Sequence, residues 1–262
     1  MGLGRRRRLD RERTSVPAPA ARYLDRGYLA VRGMSSLFAA RIIVGLLARQ
    51  TAAGVAGHVA EIGVFEGRLL IAMALALADS ERALAVDPFT WPDSGVRGRF
   101  EANSAAHGVP AGRLAVLQGD SRSVTPRQLV DAAGGGVLRF LHVDGEHTVG
   151  HLASDLRLAA AAAGAPEAIL ALDDMLHPGY PTLALTVHAF LDAEPGWRVL
   201  AIIDREDIVG AAKYLLCRGP AVAGYEAWLR AAFAAHVWPM GADFGAYRAL
   251  VLTPEPKLAD IG

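Results

Sequence analysis

At 262 residues and 52% hydrophobic, the chain is long enough to bury one large core and is of a length often found as a single α/β domain. Lys plus Arg and Asp plus Glu each total 27, so no basic field points to nucleic acid and no acidic one to a basic partner. A lone cysteine, Cys217, excludes an internal disulfide and a cysteine zinc site, and it fits a reducing cytoplasm.

The run Met1 to Arg8 is basic, but no apolar segment or small-residue cleavage site of a signal peptide follows it. Gly2 lacks the Ser or Thr of a myristoylation signal, and the longest apolar runs fall short of the ~20 residues that a membrane span needs. Residues 1–20 are expected to form a disordered basic tail ending near Pro17-Ala18-Pro19, and residues 21–262 a single domain. Within it, residues 21–55 carry helical spacing, at Tyr23 to Val31 and again at Ser35 to Gln50, where Leu37, Ile42, Ile43, Leu46 and Leu47 share one face.

From His58 onward, strands and helices alternate. Strands are expected at His58 to Ile62, Ala83 to Val86, Leu114 to Leu117, Val137 to Val143 and Ala168 to Leu172. Helices are expected between them at Leu69 to Ala78, Val96 to His107, Pro126 to Ala133 and Gly150 to Ala163, and a further helix at Tyr180 to Leu191. Such alternation implies right-handed crossovers and a doubly wound, mostly parallel sheet with helices on both faces. Two last strands, Trp197 to Ile203 and Ala212 to Cys217, are joined by too few residues for a crossover helix. They are expected to pair as an antiparallel hairpin that ends a seven-stranded sheet, with the Cys217 thiol buried. Residues 219–262 read as a C-terminal extension, and its Tyr225 to Tyr247 segment, like the N-terminal helices, is where a substrate lid would sit.

In this class of sheet, ligands bind beyond the carboxyl ends of the strands. Glu61-Ile62-Gly63-Val64-Phe65-Glu66-Gly67 stands at the first such end, where Gly63 allows a sharp turn and Gly67 opens the next helix. The spacing is Glu-x-Gly-x-x-x-Gly rather than the dinucleotide Gly-x-Gly-x-x-Gly, and an acidic residue at Glu61 would repel a pyrophosphate. Asp87 falls where an acidic residue meets ribose hydroxyls, and Asp120 with Ser121 ends the third strand where an adenine amino group could be reached. Phe89 and Trp91 either flank an adenine or cover the sheet edge. Together these loops point to a nucleoside-bearing cofactor.

Two further strand ends carry Asp144-Gly145-Glu146-His147 and Asp173-Asp174. On neighbouring parallel strands their carboxylates and imidazole would converge on one rim, and uncompensated carboxylates there cost several kcal/mol, so a divalent cation is the obvious compensator. Plainer roles remain open: a turn at Asp144-Gly145, a helix cap at His147, and for Asp173-Asp174 a cap or an ion pair with Arg or Lys. His142 and Asp155 read as structural, and His177 and Tyr180 stand where a substrate pocket could be lined.

Glu61-x-Gly63-x-x-x-Gly67, Asp87, Gly119-Asp120 and the closing hairpin resemble the class I S-adenosylmethionine-dependent methyltransferases over roughly residues 56 to 218. The resemblance implies that the Glu61 to Gly67 loop, with Glu61, Gly63, Phe65 and Gly67, carries the methionine part of the cofactor, that Asp87 takes the ribose hydroxyls, and that Asp120 with Ser121 lies at the adenine. The Asp144 and Asp173-Asp174 stretches are similar to the magnesium site of catechol-type and antibiotic-tailoring sugar O-methyltransferases. That similarity implies Asp144, Asp173 and Asp174 as metal ligands, Asp144 also beside the cofactor, and His147, three residues on, as the general base. The expected acceptor is a hydroxyl of a small molecule such as a sugar, diol or natural product, with no nucleic acid and no membrane partner; a second subunit could complete the pocket in a homo-oligomer. The rivals are an NAD(P)-dependent oxidoreductase on the same sheet and a noncatalytic S-adenosylmethionine-binding protein.

Overall fold

The computed structural model describes residues 16–255, so the Arg5 to Arg8 run and most of the expected tail lie outside the described residues. Helix α1, Ala18–Arg26, begins inside the segment assigned to the tail, because Pro19 in its first turn needs no hydrogen-bond partner for a backbone donor that it lacks. A 3-10 turn at Tyr28–Ala30 follows, then α2, Leu37–Ala52, capped by Ser36, whose hydroxyl accepts from the Ala39 N–H at 3.1 Å.

The alternating body follows in the expected order. It runs β1 His58–Ile62, α3 Arg68–Leu75, β2 Ala83–Asp87, α4 Val96–Ala106, β3 Leu114–Gln118, α5 Pro126–Ala132, β4 Leu138–Val143, α6 Val149–Ala162, β5 Ile169–Met175 and α7 Thr182–Ala193. Strands β6, Trp197–Ile203, and β7, Ala212–Arg218, then pair antiparallel, and β7 inserts antiparallel beside β5. The hairpin expectation is met, and burial pushes the Cys217 thiol up to about 12.

Among the described residues, the sheet has nine strands rather than seven, in the order β3-β2-β1-β4-β5-β7-β6-β9-β8. The extension supplies α8, Gly219–Ala232, and two more strands, β8, Val237–Asp243, and β9, Arg248–Leu252. Strand β9 lies parallel to β6, matching Ala201 with Leu250, and β8 closes the sheet antiparallel to β9. Pro239 and Gly241 disguise β8 in the sequence, since both weaken a strand pattern and neither is excluded from an edge.

The two faces of the sheet bury separate apolar clusters. One joins Val59, Ala85, Phe140, Ala171 and Leu215 to α1, α2, α3 and α8; the other joins Ile62, Leu141, Val143 and Leu172 to α5, α6 and α7. Burial of this order, at about 25 cal/mol per Å² of apolar surface, is the main force that holds the layers together. Among the described residues, no helix is long and apolar enough to cross a membrane.

At the amino ends of the strands, Arg139 on β4 is fully buried and all its guanidinium nitrogens donate. Nε reaches the Gly57 carbonyl and Glu81 Oε1, Nη1 the Leu47 carbonyl and Gln50 Oε1, and Nη2 Glu81 Oε2, at 2.8 to 3.1 Å. Glu81 also accepts from the Gly57 and Ala78 N–H groups, so one buried ion pair ties α2, β1, β4 and the turn before β2. The paired guanidinium and the backbone donors hold the Glu81 carboxyl below its usual range against the upward pull of burial.

Candidate active site

The carboxyl ends of β1, β2, β4 and β5 bring most of the expected residues to one rim. Gly63, at φ +82°, could not be any other residue: a Cβ there would lie 1.8 Å from the Asp144 carbonyl oxygen, so the β1 and β4 loops touch backbone to backbone. Gly67, at φ +86°, starts α3 with Phe100 packed 2.5 Å from where its Cβ would be. Asp87 fastens the loop between them. Its Oδ2 accepts from the Val64 and Phe65 N–H groups at 2.7 and 3.0 Å, and its Oδ1 from the Phe89 N–H at 2.6 Å. A carboxylate has about four acceptor sites, so the three backbone donors do not use up its accepting capacity.

Two of the expected cofactor side chains turn elsewhere. Phe89 is buried and stacks on Phe100 at 5.6 Å between centroids, because its left-handed backbone swings the ring inward. The aromatic pair nearer the surface at this loop is the half-buried Phe65 with the exposed Trp91, 5.3 Å apart, with the Arg32 guanidinium over Phe65. Glu61 is buried as well: it is the register partner of His142 across β1 and β4, and His142 Nδ1 lies 2.8 Å from its Oε1. The neighbouring Glu66, not singled out from the sequence, is also buried and accepts from Arg32 at 3.0 Å and Arg99 at 2.7 Å.

After β3, Asp120 caps a 3-10 turn and holds the Arg122 guanidinium, which draws its carboxyl down to about 2, while Ser121 is buried beside it. Asp155, from α6, stands behind this loop with 1% exposure; burial raises its carboxyl against a hydrogen bond from Ser121.

Asp144, His147 and Asp174 do converge. His147 Nε2 lies 2.6 Å from Asp174 Oδ2 and 3.9 Å from Asp144 Oδ1, and the ring packs on Tyr180, which stacks on His177. The carboxylates of Asp144 and Asp174 raise the imidazole to about 10, so it holds its proton near neutrality. Burial, and then the charge of Asp173, push Asp144 well above the carboxylate range. Asp174 is pulled up by burial, but His147, with Lys213 and His177 beyond it, pulls it down, and it ends below its usual value.

Asp173 departs from the expected pattern. Its Oδ1 accepts from the Asp174 N–H at 2.8 Å, and its Oδ2 pairs with the ammonium of Lys213 on β7. Sequence reasoning left an ion pair with Arg or Lys open but did not pick out Lys213. The available signal was one lysine inside the apolar run Ala212 to Cys217, where an unpaired ammonium could not stay. Across β1, β4, β5 and β7 the side chains of Glu61, His142, Asp173 and Lys213 thus form a buried polar row beneath the rim. Burial keeps His142 neutral, down to about 3.

Among the described residues, two groups of ligand atoms could hold an ion, the atoms within each lying within 4.8 Å of one another: His142, Asp144 and Asp173, and Asp144, His147 and Asp174. The carboxylate oxygens are the hard ligands that magnesium prefers, and the donor set fits it. Among the described residues, the four non-glycine residues in the left-handed region, Phe65, Phe89, Asp174 and Leu176, all follow β1, β2 or β5 at this rim or, for Asp174, close β5, where strain commonly collects at functional sites.

Comparisons with known proteins agree with this geometry. Residues 60–175 match the family described as a methyltransferase domain. No curated protein sequence matches the chain. Among solved structures, the fold is similar to that of CalS11, a TDP-rhamnose 3'-O-methyltransferase of calicheamicin biosynthesis, with 20% identity, a TM-score of 0.52, and coverage of 81% of this chain and 92% of that one. It is also similar to the O-methyltransferase TomG from Streptomyces achromogenes in complex with S-adenosylmethionine, with 21% identity, a TM-score of 0.55, and coverage of 78% and 88%. The O-methyltransferase NovP gives 14% identity, a TM-score of 0.56, and coverage of 70% and 81%. At these identities the likeness is one of fold. Taken with the match over residues 60–175, it shows that the chain has the Rossmann-like methyltransferase fold and that this stretch is similar to a methyltransferase domain.

Proposed function

We propose that the enzyme transfers the methyl group to a hydroxyl of a small molecule, a sugar, diol or natural product, with magnesium at the aspartate rim. The observation that carries this reading is the Asp144, His147 and Asp174 cluster standing against the cofactor loop, with Gly63 touching the Asp144 carbonyl. CalS11, TomG and NovP, whose fold this chain shares, are themselves described as O-methyltransferases.

The Gly63 to Gly67 backbone would seat the methionine part, Asp87 the ribose, and the Asp120-Ser121 turn the adenine. Asp144 and Asp174 would supply carboxylate oxygens for magnesium, with Asp173 adding negative charge beside them. When bound, the ion would add the positive charge that makes an acceptor hydroxyl easier to deprotonate. His147 would then take that proton. Its own proton is held by Asp144 and Asp174, so carboxylates engaged elsewhere leave the imidazole free to act as base near neutrality. Tyr180 and His177 wall the acceptor side. Fixing the hydroxyl in line with the sulfonium methyl would contribute most of the acceleration, since positioning alone is worth ~7 kcal/mol or more.

The test is methyl transfer from S-adenosylmethionine to a panel of sugar nucleotides and vicinal diols, followed by mass spectrometry with magnesium or with a chelator. Transfer that is lost on chelation and restored by magnesium is the expected result. Equal rates under both conditions would remove magnesium from the mechanism, and cofactor binding without transfer to any hydroxyl would favour a noncatalytic role.

A further inference from the structure

Asp173 is not equivalent to the two aspartates beside it. Its side chain is 5% exposed, against 15% for Asp174 and 19% for Asp144. Each of its oxygens already accepts a hydrogen bond from the protein: Oδ1 from the Asp174 N–H, and Oδ2 from Lys213. On the remaining side stands His142, whose Nε2 lies 3.7 Å from Oδ2 and whose Nδ1 is engaged by Glu61. Lys213 is as enclosed as its partner, with 1% exposure, and it projects from β7, the strand paired with β5. A buried ammonium stays buried only when paired, so Lys213 is committed to this carboxylate. Asp144 and Asp174 instead both face the half-open His147 ring.

We propose that Lys213 is a positioning residue that retires Asp173 from direct coordination, so that a divalent cation at this site is held by Asp144 and Asp174, with its other positions left to water and the acceptor's oxygens. The inference rests on the magnesium reading above. Two carboxylates and several exchangeable positions suit magnesium, which commonly keeps its waters and binds through one or two carboxylates together with substrate oxygens. The fixed positive charge also weakens the grip on the free ion, which ties metal retention to the presence of acceptor.

The experiment is calorimetric titration of the full chain with Mn2+ alone, using S-adenosylhomocysteine binding to show that each variant is folded. The double variant Asp173→Asn/Lys213→Met, which removes the pair as a neutral unit, is expected to bind Mn2+ within about threefold of wild type, as loss of a salt bridge outside the coordination shell would allow. Asp174→Asn is expected to weaken binding at least about thirtyfold, and Lys213→Met alone to tighten it about tenfold by removing a like charge from beside the cation. A double variant that loses Mn2+ as fully as Asp174→Asn, or a folded Lys213→Met that binds more weakly than wild type, would make Asp173 a ligand and overturn the proposal while leaving the magnesium reading standing. No Mn2+ binding by the wild-type chain would remove both.

Discussion

Both ends of this sheet bury charge, and they do it in opposite ways. At the amino ends, Arg139 donates through every guanidinium nitrogen to Glu81, Gln50 and backbone carbonyls, and the two Glu81 oxygens are filled from both sides. At the carboxyl ends, the row Glu61, His142, Asp173 and Lys213 leaves Glu61 Oε2 and His142 Nε2 without a hydrogen-bond partner among the described residues, and His147 is held between two carboxylates. Satisfying every donor and acceptor makes a charge structural, whereas leaving some unsatisfied and partly open stores the capacity to bind something else. The amino end is a bolt, and the carboxyl end is a socket.

If that contrast holds, breaking the bolt should cost stability and leave chemistry alone. Arg139→Met strands Glu81 in the core and is expected to destabilise the chain by about 3–5 kcal/mol in urea denaturation, with kcat per folded molecule unchanged. Asp144→Asn should do the reverse. Its carboxyl is raised by burial and by Asp173, so the charge opposes folding near neutrality, and the amide should leave the melting temperature equal or higher. Methyl transfer should fall roughly 10²- to 10³-fold, the size expected for removing several kcal/mol of charge stabilisation.

Gly63→Ala sharpens the comparison at the backbone. The methyl group collides with the Asp144 carbonyl and φ is +82°, so about 1–3 kcal/mol of strain would separate the two loops, and calorimetry should show S-adenosylhomocysteine binding weakened about tenfold. A smaller effect is one of pH. The His147 pKa is raised in the folded chain to about 10 from 6.5, so its contribution to stability is fully present below about 6.5 and is lost as pH rises to about 10. In metal-free chemical denaturation, His147→Gln should flatten that decline; an unchanged slope would show that the two carboxylates do not hold its proton.

The sequence made the parallel body and its carboxyl-end loops readable because apolar runs of strand length alternate with helical spacing, and because glycines and acids stand just past the runs. Side-chain direction was less readable. Glu61 and Phe89 lie in the expected loops, yet strand register gives Glu61 to His142, and a left-handed backbone turns Phe89 into the core. Arg139 and Lys213 were passed over as lone charges inside strands, since a partner such as Glu81 or Asp173 is distant in the chain and near only after folding. The two added strands escaped notice because β8 spends its pattern on Pro239 and Gly241.

Those same two residues matter to what happens between molecules. A seven-stranded sheet would end on β6, an apolar strand whose free backbone groups would invite a second copy to pair with it; β9 takes up that ladder, and the new edge is β8. There Pro239 offers no N–H, and the kink at Gly241, with φ +61°, interrupts the pairing with β9, where the register shifts between Trp238 and Ala242. The extension thus gives the sheet an outer margin that a neighbouring chain cannot easily zip onto, a safeguard against aggregation built from two residues that look like flaws in a strand.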